Sequence, residues 1–239
     1  MARARAGGTG LAQALVVVAA AAPLLVLVSA IAVRADLVTL ETGWSLLTLR
    51  VAWWLSWVGV AAAAMAVVLA VKDRRRFGLF ALAAVLIAGG ALAGFVWQKG
   101  RLASGGAEHV STDLEEVPGF GDLRERRGGP GPGPAVGPEA CPGAQPVMRQ
   151  IAPETGMWAL ERAGFRVLGV GVQRADGYRT GFWFGVTHDA VIRIRPGRTD
   201  IRVAARDSLP HGGEACRLGA RVSGALRAGE EGSGRHPGG

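Results

Sequence analysis

The sequence predicts a membrane anchor of three α-helices, followed by a small α+β domain whose mainly antiparallel sheet is packed by two helices. The 239 residues are 49% hydrophobic, with a mean hydropathy of +0.26, which is high for a soluble protein of this length. The apolar residues concentrate in the first hundred positions. Beyond position 146, short segments alternate between apolar and polar residues, as half-buried strands do.

Three apolar runs predict the membrane anchor, residues 1–101. Each is close to the 20 or so residues that a helix needs to cross roughly 30 Å of hydrocarbon. The predicted spans are about 11–33, 51–71 and 77–97. In the third span, Gly90 and Gly94 form a G-x-x-x-G, which either lets helices approach closely or simply belongs to an alanine-rich helix.

The first span has an alternative interpretation as a cleavable signal peptide. Arg3 and Arg5 resemble the basic start of such a peptide, and Ala30–Ala32 resembles its cleavage site. The apolar run is longer than the usual signal core, which favours a retained helix. Either reading leaves the C-terminal domain on the same side of the membrane.

Basic residues in the short loops predict the orientation. The loop 72–76 contains Lys72 and three arginines, and the N-terminus carries Arg3 and Arg5. Because positive loops stay in the cytoplasm, we expect both segments there. The chain is then a multi-pass protein of the inner (cytoplasmic) membrane, with its C-terminal domain in the periplasm.

The remainder of the chain divides by composition. Residues 102–145 are predicted to be an N-terminal segment and a linker, because glycine and proline dominate the tract from Arg124 to Pro146. Residues 146–229 are predicted to form the compact α+β domain, and residues 230–239 a disordered tail.

Within that domain the expected order is strand, helix, four strands, helix. Val147–Ile151 is a short strand, and a helix runs from Pro153 to about Ala163, before Gly164. A second helix is expected from Gly213 to Ala228. The four intervening strands are separated by turn-forming residues such as Ala175-Asp176-Gly177. They are Phe165–Gln173, Tyr178–Val186, Ala190–Arg195 and Asp200–Arg206.

Three segments carry a family resemblance. Residues 109–120 read HVSTDLEEVPGF, residues 182–194 read FWFGVTHDAVIRI, and residues 200–206 read DIRVAAR. They resemble motifs of the bacterial domain of unknown function 1499 family, some of whose members also have three preceding helices. The resemblance implies a membrane-anchored α+β domain and no established activity. A later family motif survives here only as Leu209–Ala215, without its Asp and Asn.

Cys141 and Cys216 are the only cysteines. An even pair outside the cytoplasm suggests a disulfide between them. The alternative is two unpaired thiols, because Cys141 lies in the predicted linker.

Two His/Asp pairs are the candidates for catalysis: His109 with Asp113, and His188 with Asp189. Imidazole and carboxylate groups are suited to acid–base chemistry when they converge, but solvated turns contain the same residues. The chain has no H-x-x-x-H or C-x-x-C, so we expect neither a metal site nor a cofactor.

Aromatic and basic residues are the candidates for binding. Trp183 has Phe182 and Phe184 on either side, so one face of its predicted strand would expose aromatic surface to a partner, lipid or helix, unless helices cover both faces. Arg193, Arg195 and Arg202 form a possible ladder for an anion or lipid headgroup, or a solvated face. The net charge of +8 comes without an aromatic platform for bases, so we expect no nucleic-acid partner.

The functional expectation is an envelope protein whose outer domain binds a partner protein, a lipid or another envelope component. The alternative is an envelope hydrolase that uses the two His/Asp pairs. A hydrolase requires His109 and His188 to converge in one pocket, whereas a binding domain requires only an exposed patch.

Overall fold

The computed structural model describes residues 2–129 and 131–233, and the chain divides into two compact units, Met1–Gly100 and Arg101–Gly239. The first unit contains α1 (Ala2–Arg34), a π-helix (Thr42–Ala52), α2 (Trp53–Lys72) and most of α3 (Arg74–Ala103). Within the described residues, three helical segments are long and apolar enough to cross a membrane: Thr9–Arg34, Thr42–Lys72 and Arg74–Ala103. They contain the three predicted spans, and the chain is a membrane protein.

Small residues bring these helices together. Buried alanines from all three form one cluster: Ala19, Ala63, Ala66, Ala81, Ala84 and Ala88. A Cβ atom on Gly59 of α2 would lie 3.3 Å from the carbonyl oxygen of Ala19, so glycine permits the close approach of α1. By contrast, a Cβ atom on Gly90 or Gly94 would have no described atom within 4 Å. The G-x-x-x-G therefore makes no close helix contact within the described residues.

The second unit contains a five-stranded antiparallel sheet in the order β1-β5-β4-β3-β2. Helices α4 and α5 pack against it, as the predicted α+β class requires. A short 3₁₀-helix, Gly121–Arg126, precedes them. The other elements are β1 (His109–Ser111), α4 (Pro153–Arg162), β2 (Arg166–Gly171), β3 (Arg174–Thr180), β4 (Thr187–Arg195), β5 (Arg198–Ala205) and α5 (Glu214–Ser233).

Alternation along β4 and β5 gives the sheet two different faces. Ile192 and Ile194 of β4 join Ile201 and Val203 of β5 in the core beneath the helices, together with Leu218 of α5. The intervening residues point to the other face because successive strand residues alternate. That second face carries most of the polar groups considered below.

The first strand of the sheet differs from the prediction. Val147 makes only one isolated bridge, to Thr199, so Val147–Ile151 is not a strand. The strand that pairs with β5 is instead His109–Ser111. The compact domain consequently begins at Arg101, not at residue 146.

The glycine- and proline-rich tract is part of this domain, and its interpretation as a linker was wrong. The N–H group of Ser111 donates to the carbonyl oxygen of Val136, and the N–H group of Val136 donates to that of His109. Leu123, Cys141 and Ala144 are fully buried. Backbone pairing and a few well-spaced apolar residues thus compensate for a composition that contributes little core.

Two further boundaries differ. Ala175-Asp176-Gly177, predicted as a turn, lies inside β3, because Gly177 allows the backbone of Arg166 to approach where β2 bulges. As a result, Phe182–Phe184 lies in the turn between β3 and β4, not in a strand. Helix α5 extends to Ser233, so residues 230–233 are helical and not tail, while residues 234–239 lie outside the described residues.

Candidate anion-binding site

The polar face of the sheet is covered by the segment that follows β1. Phe120 and Leu123 of that segment pack on Val191 and Ala204 of the sheet, beside Tyr178. Around this small apolar patch lie several arginines and carboxylates. Their pairing decides which of the positive charges are already balanced within the protein.

Asp200 on β5 is the centre of one ion-pair network. Its carboxylate is fully buried and accepts hydrogen bonds from Arg195 at 2.6 Å, Arg198 at 2.8 Å and Arg193 at 3.3 Å. The hydroxyl group of Thr112 also donates to it, at 3.2 Å. The predicted arginine ladder at 193 and 195 is therefore neutralised inside the fold.

Asp113 strengthens the same network from the loop after β1. It accepts from Arg193 at 2.7 Å and from Arg195 at 2.8 Å. Burial acts to raise the pKa of Asp113, but the backbone N–H of Glu116 and the two guanidinium groups outweigh it and lower that pKa. The carboxylate is a structural counter-ion, and both of its oxygens accept hydrogen bonds within the fold.

Asp189 on β4 forms a second buried pair. Arg127 donates to its Oδ2 at 2.7 Å and Arg206 donates to its Oδ1 at 2.8 Å. With two guanidinium groups on one fully buried carboxylate, Asp189 holds the chain segments of both arginines to the sheet.

Arg202 on β5 is different, because no described carboxylate lies within ion-pair distance of it. Its Nη1 donates to the carbonyl oxygen of Pro118 at 2.7 Å, and its guanidinium carbon lies 3.7 Å from the centroid of the Phe120 ring. Burial and the nearby positive charge of Arg127 lower the pKa of Arg202 to about 10. A half-buried, unbalanced cation of this kind is unusual.

His109 fixes one end of the Arg202 side chain. The Nε–H of Arg202 donates to Nε2 of His109 at 3.0 Å, while Nδ1 of His109 lies 2.8 Å from the carbonyl oxygen of Gly133. The carbonyl can only accept, so Nδ1 carries the proton and Nε2 is an acceptor. Burial, followed by the charges of Arg202 and Arg127, lowers the pKa of His109.

These residues line a cleft of about 440 Å³, the Arg202 cleft. Phe120 forms part of its wall, and the guanidinium of Arg127 lies 4.1 Å from the centroid of that ring. The rest of the described lining consists of Arg124, which is exposed, and of Gly119, Gly129, Gly131, Pro132 and Gly133. The described lining thus contains three arginines and no carboxylate, and its volume suits a small ligand.

The two predicted catalytic pairs do not meet. His109 pairs with Ala204 and His188 pairs with Ala205, which are consecutive residues of β5, so the two imidazoles point to opposite faces of the sheet. Asp189 lies on the face opposite its neighbour His188. The convergence that a hydrolase requires of His109 and His188 is therefore absent.

His188 belongs to a separate buried cluster around Glu108. Its Nε2 lies 3.7 Å from the Glu108 carboxylate, and its ring contacts the ring of His211 edge-on at 5.9 Å. Glu108 accepts backbone hydrogen bonds from Gly213 at 2.7 Å and from His211 at 2.9 Å. Burial acts to raise the pKa of Glu108, but the nearby His188 ring and these backbone hydrogen bonds lower it overall. The cluster holds the start of α5 against β1.

Trp183 lies in the β3–β4 turn. Its side chain is 59% exposed and that of Phe182 is 82% exposed, whereas Phe184 is buried. The two exposed rings contact each other edge-on, with centroids 5.4 Å apart. Their exposure agrees with the expectation of aromatic surface, although a turn presents it and not a strand.

The two cysteines are joined. Cys141, in the glycine- and proline-rich tract, forms a disulfide with Cys216 in α5, with their Cα atoms 5.7 Å apart. The bond lies on the helix-covered side of the sheet and connects the tract to the core that surrounds it.

Sequence reasoning missed Phe120, Arg124 and Arg127, since all three lie in or beside the segment interpreted as a linker. The signal in the sequence was the group of Arg124, Arg126 and Arg127 just before the glycine- and proline-rich stretch. Chemically, the Arg202 cleft offers guanidinium donors, while both nitrogens of His109 are already engaged, so it suits binding of an anion better than proton transfer. Comparison of the chain with protein-family models, with curated proteins and with solved structures finds no match.

Proposed function

We propose that the protein is a cell-envelope membrane protein whose soluble domain binds an anionic group of a lipid or another envelope component in the Arg202 cleft. The observation that carries this proposal is the half-buried guanidinium of Arg202, which faces no described carboxylate. The ligand chemistry is that of a phosphate or carboxylate, which accepts paired hydrogen bonds from a guanidinium.

Electrostatics supports the same conclusion. Arg202 and Arg127 both lie over the Phe120 ring, and the charge of Arg127 lowers the pKa of Arg202. Two like charges on one ring repel each other, while the ring attracts both. An anion bound in the cleft beside Arg202 would offset that repulsion and replace the water that Arg202 loses on burial.

One guanidinium nitrogen of Arg202 can still donate hydrogen bonds to a ligand. Its Nε donates to His109 and its Nη1 donates to Pro118, whereas its Nη2 donates to no described group. The fixed Nε and Nη1 contacts hold the planar group in one orientation. Such pre-ordering lowers the entropic cost of binding.

The test measures binding to the full chain in nanodiscs of uncharged lipid, by calorimetry with inorganic phosphate. Arg202→Gln is expected to weaken binding about 10- to 100-fold, the effect of losing charged hydrogen bonds worth about 1.5–3 kcal/mol. The matched control is Arg166→Gln, which removes an exposed arginine of β2 outside the cleft. Equal affinity in Arg202→Gln and the unsubstituted chain would refute the proposal.

A second arm distinguishes the sources of the anion. Nanodiscs containing phosphatidylglycerol are titrated with the same phosphate probe. If the lipid headgroup occupies the cleft, the apparent phosphate affinity of the unsubstituted chain is lower in these nanodiscs than in uncharged lipid. The phosphate affinity of Arg202→Gln is then the same in both lipids. If a free anion is the ligand, the affinity is the same in both lipids.

We also propose the orientation expected from the loops, with the N-terminus in the cytoplasm and the soluble domain in the periplasm of an inner membrane. The cluster of Lys72 and Arg74–Arg76, at the end of α2 and the start of α3, supports it. An alkaline phosphatase fusion after Gly105 is expected to be active, and a fusion after Asp73 inactive. The reverse pattern would overturn the orientation.

We infer, finally, that the chain is a divergent member of the domain of unknown function 1499 family. Its resembling segments contact each other: Thr112 donates to Asp200, and Arg193 bridges Asp200 and Asp113. Residues that recur together in motifs are expected to interact in this way. A structure of an accepted family member in which the corresponding groups lie apart would contradict the assignment.

A further inference from the structure

We propose that Phe182 and Trp183, at the tip of the β3–β4 turn, insert into the headgroup region of the membrane in which the chain is anchored. They are adjacent, mostly exposed aromatic residues on a domain that otherwise buries its aromatic rings in part or in full, apart from Trp158. Exposed aromatic pairs of this kind mark contact with another molecule or a membrane.

The topology of the sheet identifies the membrane as that partner. The chain leaves α3 at Ala103 and enters β1 at His109, so the start of β1 lies close to the membrane along the chain. Five residues, 104–108, can span at most about 17 Å. The start of β1 is thus held near the bilayer surface whatever the sheet's tilt.

Register places the aromatic turn at the same end of the sheet. His109 pairs with Ala204 at the end of β5, His188 at the start of β4 pairs with Ala205, and Thr180 at the end of β3 pairs with Thr187. The β3–β4 turn follows Thr180. It joins the strands that lie two and three strand spacings from β1, so it is about 10–14 Å away along the sheet edge.

The carboxylate of Glu214 pairs with one arginine at the end of α3 and with another in β3, just before the aromatic turn. Glu214, at the start of α5, lies 3.6 Å from a guanidinium nitrogen of Arg101, in the last turn of α3. It also lies 3.6 Å from a guanidinium nitrogen of Arg179, which is three residues before Phe182. The C-terminal end of the membrane helix and the base of the aromatic turn therefore meet at one side chain.

The residue chemistry fits a headgroup region. Tryptophan prefers this zone because its ring is apolar while its indole N–H can reach water or a headgroup. Arg217 also pairs with Glu214, so three guanidinium groups surround one carboxylate at this end of the domain. Basic side chains near the surface attract anionic lipids.

The experiment uses the full chain in nanodiscs of phosphatidylethanolamine and phosphatidylglycerol. A nitroxide is attached to Phe182→Cys or, as a matched control, to Val172→Cys; the native cysteines are bonded to each other and do not react. Val172 is 75% exposed and lies in the β2–β3 turn at the opposite end of the sheet. Both substitutions replace exposed side chains, so folding is retained.

Spin-label accessibility is then measured with oxygen, which partitions into lipid, and with a water-soluble nickel chelate. The label at 182 is expected to collide more with oxygen than with nickel, and the label at 172 the reverse. Equal nickel accessibility at the two positions would overturn the proposal. Protection of position 182 from both reagents would overturn it too, because it would assign the turn to a protein contact.

Discussion

The Nε–H group of Arg202 donates a hydrogen bond to Nε2 of His109 over 3.0 Å, and this contact links the charge of the cleft to a titratable ring. Since the Nδ1–H of the ring points to Gly133, a second proton on Nε2 would remove the acceptor that Arg202 uses. Protonation would also place two positive charges side by side. The cleft and the imidazole are therefore coupled.

Replacement of Arg202 is expected to raise the pKa of His109. Burial is the main cause of its lowered pKa, and the charge of Arg202 is the next cause that lowers it. In Arg202→Gln that charge is absent, so the pKa should move back towards its ordinary value of 6.5. NMR titration of the imidazole carbon signals measures this. The pKa should not move in Arg166→Gln, and an unmoved pKa in Arg202→Gln would show that the two groups are not coupled.

Acid should destabilise the soluble domain through His109. Its pKa is lower in the folded chain than the value of 6.5 expected in the unfolded one, so the unfolded chain takes up the proton first. The contribution of His109 to the free energy of unfolding is present above pH 6.5 and is lost as the pH falls towards the folded pKa. Urea midpoints at pH 7.5 and 5.5 should differ more for the unsubstituted chain than for His109→Gln. An equal difference in both chains would contradict this.

Asp200→Asn is expected to lower the free energy of unfolding by about 3–5 kcal/mol, since it removes the buried partner of Arg193, Arg195 and Arg198. Glu116→Gln is the matched control. Its side chain is 72% exposed and pairs with two of the same arginines, so its loss should cost less than about 1 kcal/mol. Urea unfolding of the full chain in detergent compares the two. Similar losses would mean that burial does not set the strength of this network.

The bulge of β2 should depend on Gly177. An alanine Cβ there would lie 2.7 Å from the carbonyl oxygen of Arg166, in contact with backbone that cannot rotate away. Gly177→Ala is expected to cost about 1–3 kcal/mol by displacing β2. In the adjacent strand, Gly171→Ala would meet nothing closer than 3.9 Å and should be nearly neutral. Thermal unfolding distinguishes them, and equal melting temperatures would argue against the close approach.

Reduction of the Cys141–Cys216 bond should destabilise the domain. The bond joins residues 75 apart in sequence, for which loop-closure entropy gives an upper value of about 4 kcal/mol. The urea midpoint is expected to fall when reductant is added to the native chain. The double variant Cys141→Ala/Cys216→Ala should start at the lower midpoint and should not respond to reductant. An unchanged urea midpoint of the native chain after addition of reductant would contradict the expected stabilisation.

The parts of the fold that the sequence predicts are those specified by local patterns. Long apolar runs identify the three membrane helices, and the alternation Val191–Arg195 identifies β4, because burial on one face leaves a period of two. The helix from Pro153 follows from a proline at its first position. Each of these signals lies within the element that it predicts.

The errors arise where distant segments decide the structure. His109–Ser111 is three residues long and becomes a strand only because β5 pairs with it. Phe182–Phe184 has the aromatic composition of a strand, yet the register of β3 with β4 makes it a turn. Gly177 looks like a turn residue, but its missing side chain makes room for Arg166. In each case tertiary contact outweighs intrinsic preference.

Tertiary contacts between distant segments also explain why the Arg202 cleft could not be predicted from the sequence. Arg193, Arg195 and Arg202 look equivalent in the sequence, as basic residues on one face of adjacent strands. What separates them is the position of Asp113 and Asp200, which neutralise the first two, and of Phe120, which lies against the third. No local pattern predicts an ion pair between residues 80 positions apart, such as Asp113 and Arg193.

The pairing of β1 with β5 also sets the order in which the domain is assembled. β1 is the first strand to emerge after the membrane helices, but its partner strand is the last to be synthesised. Throughout synthesis of residues 112–197, β1 has no neighbouring strand to pair with. The domain therefore closes late, and a chain interrupted before Arg198 would remain in the membrane with an open sheet edge, a substrate for quality-control proteases.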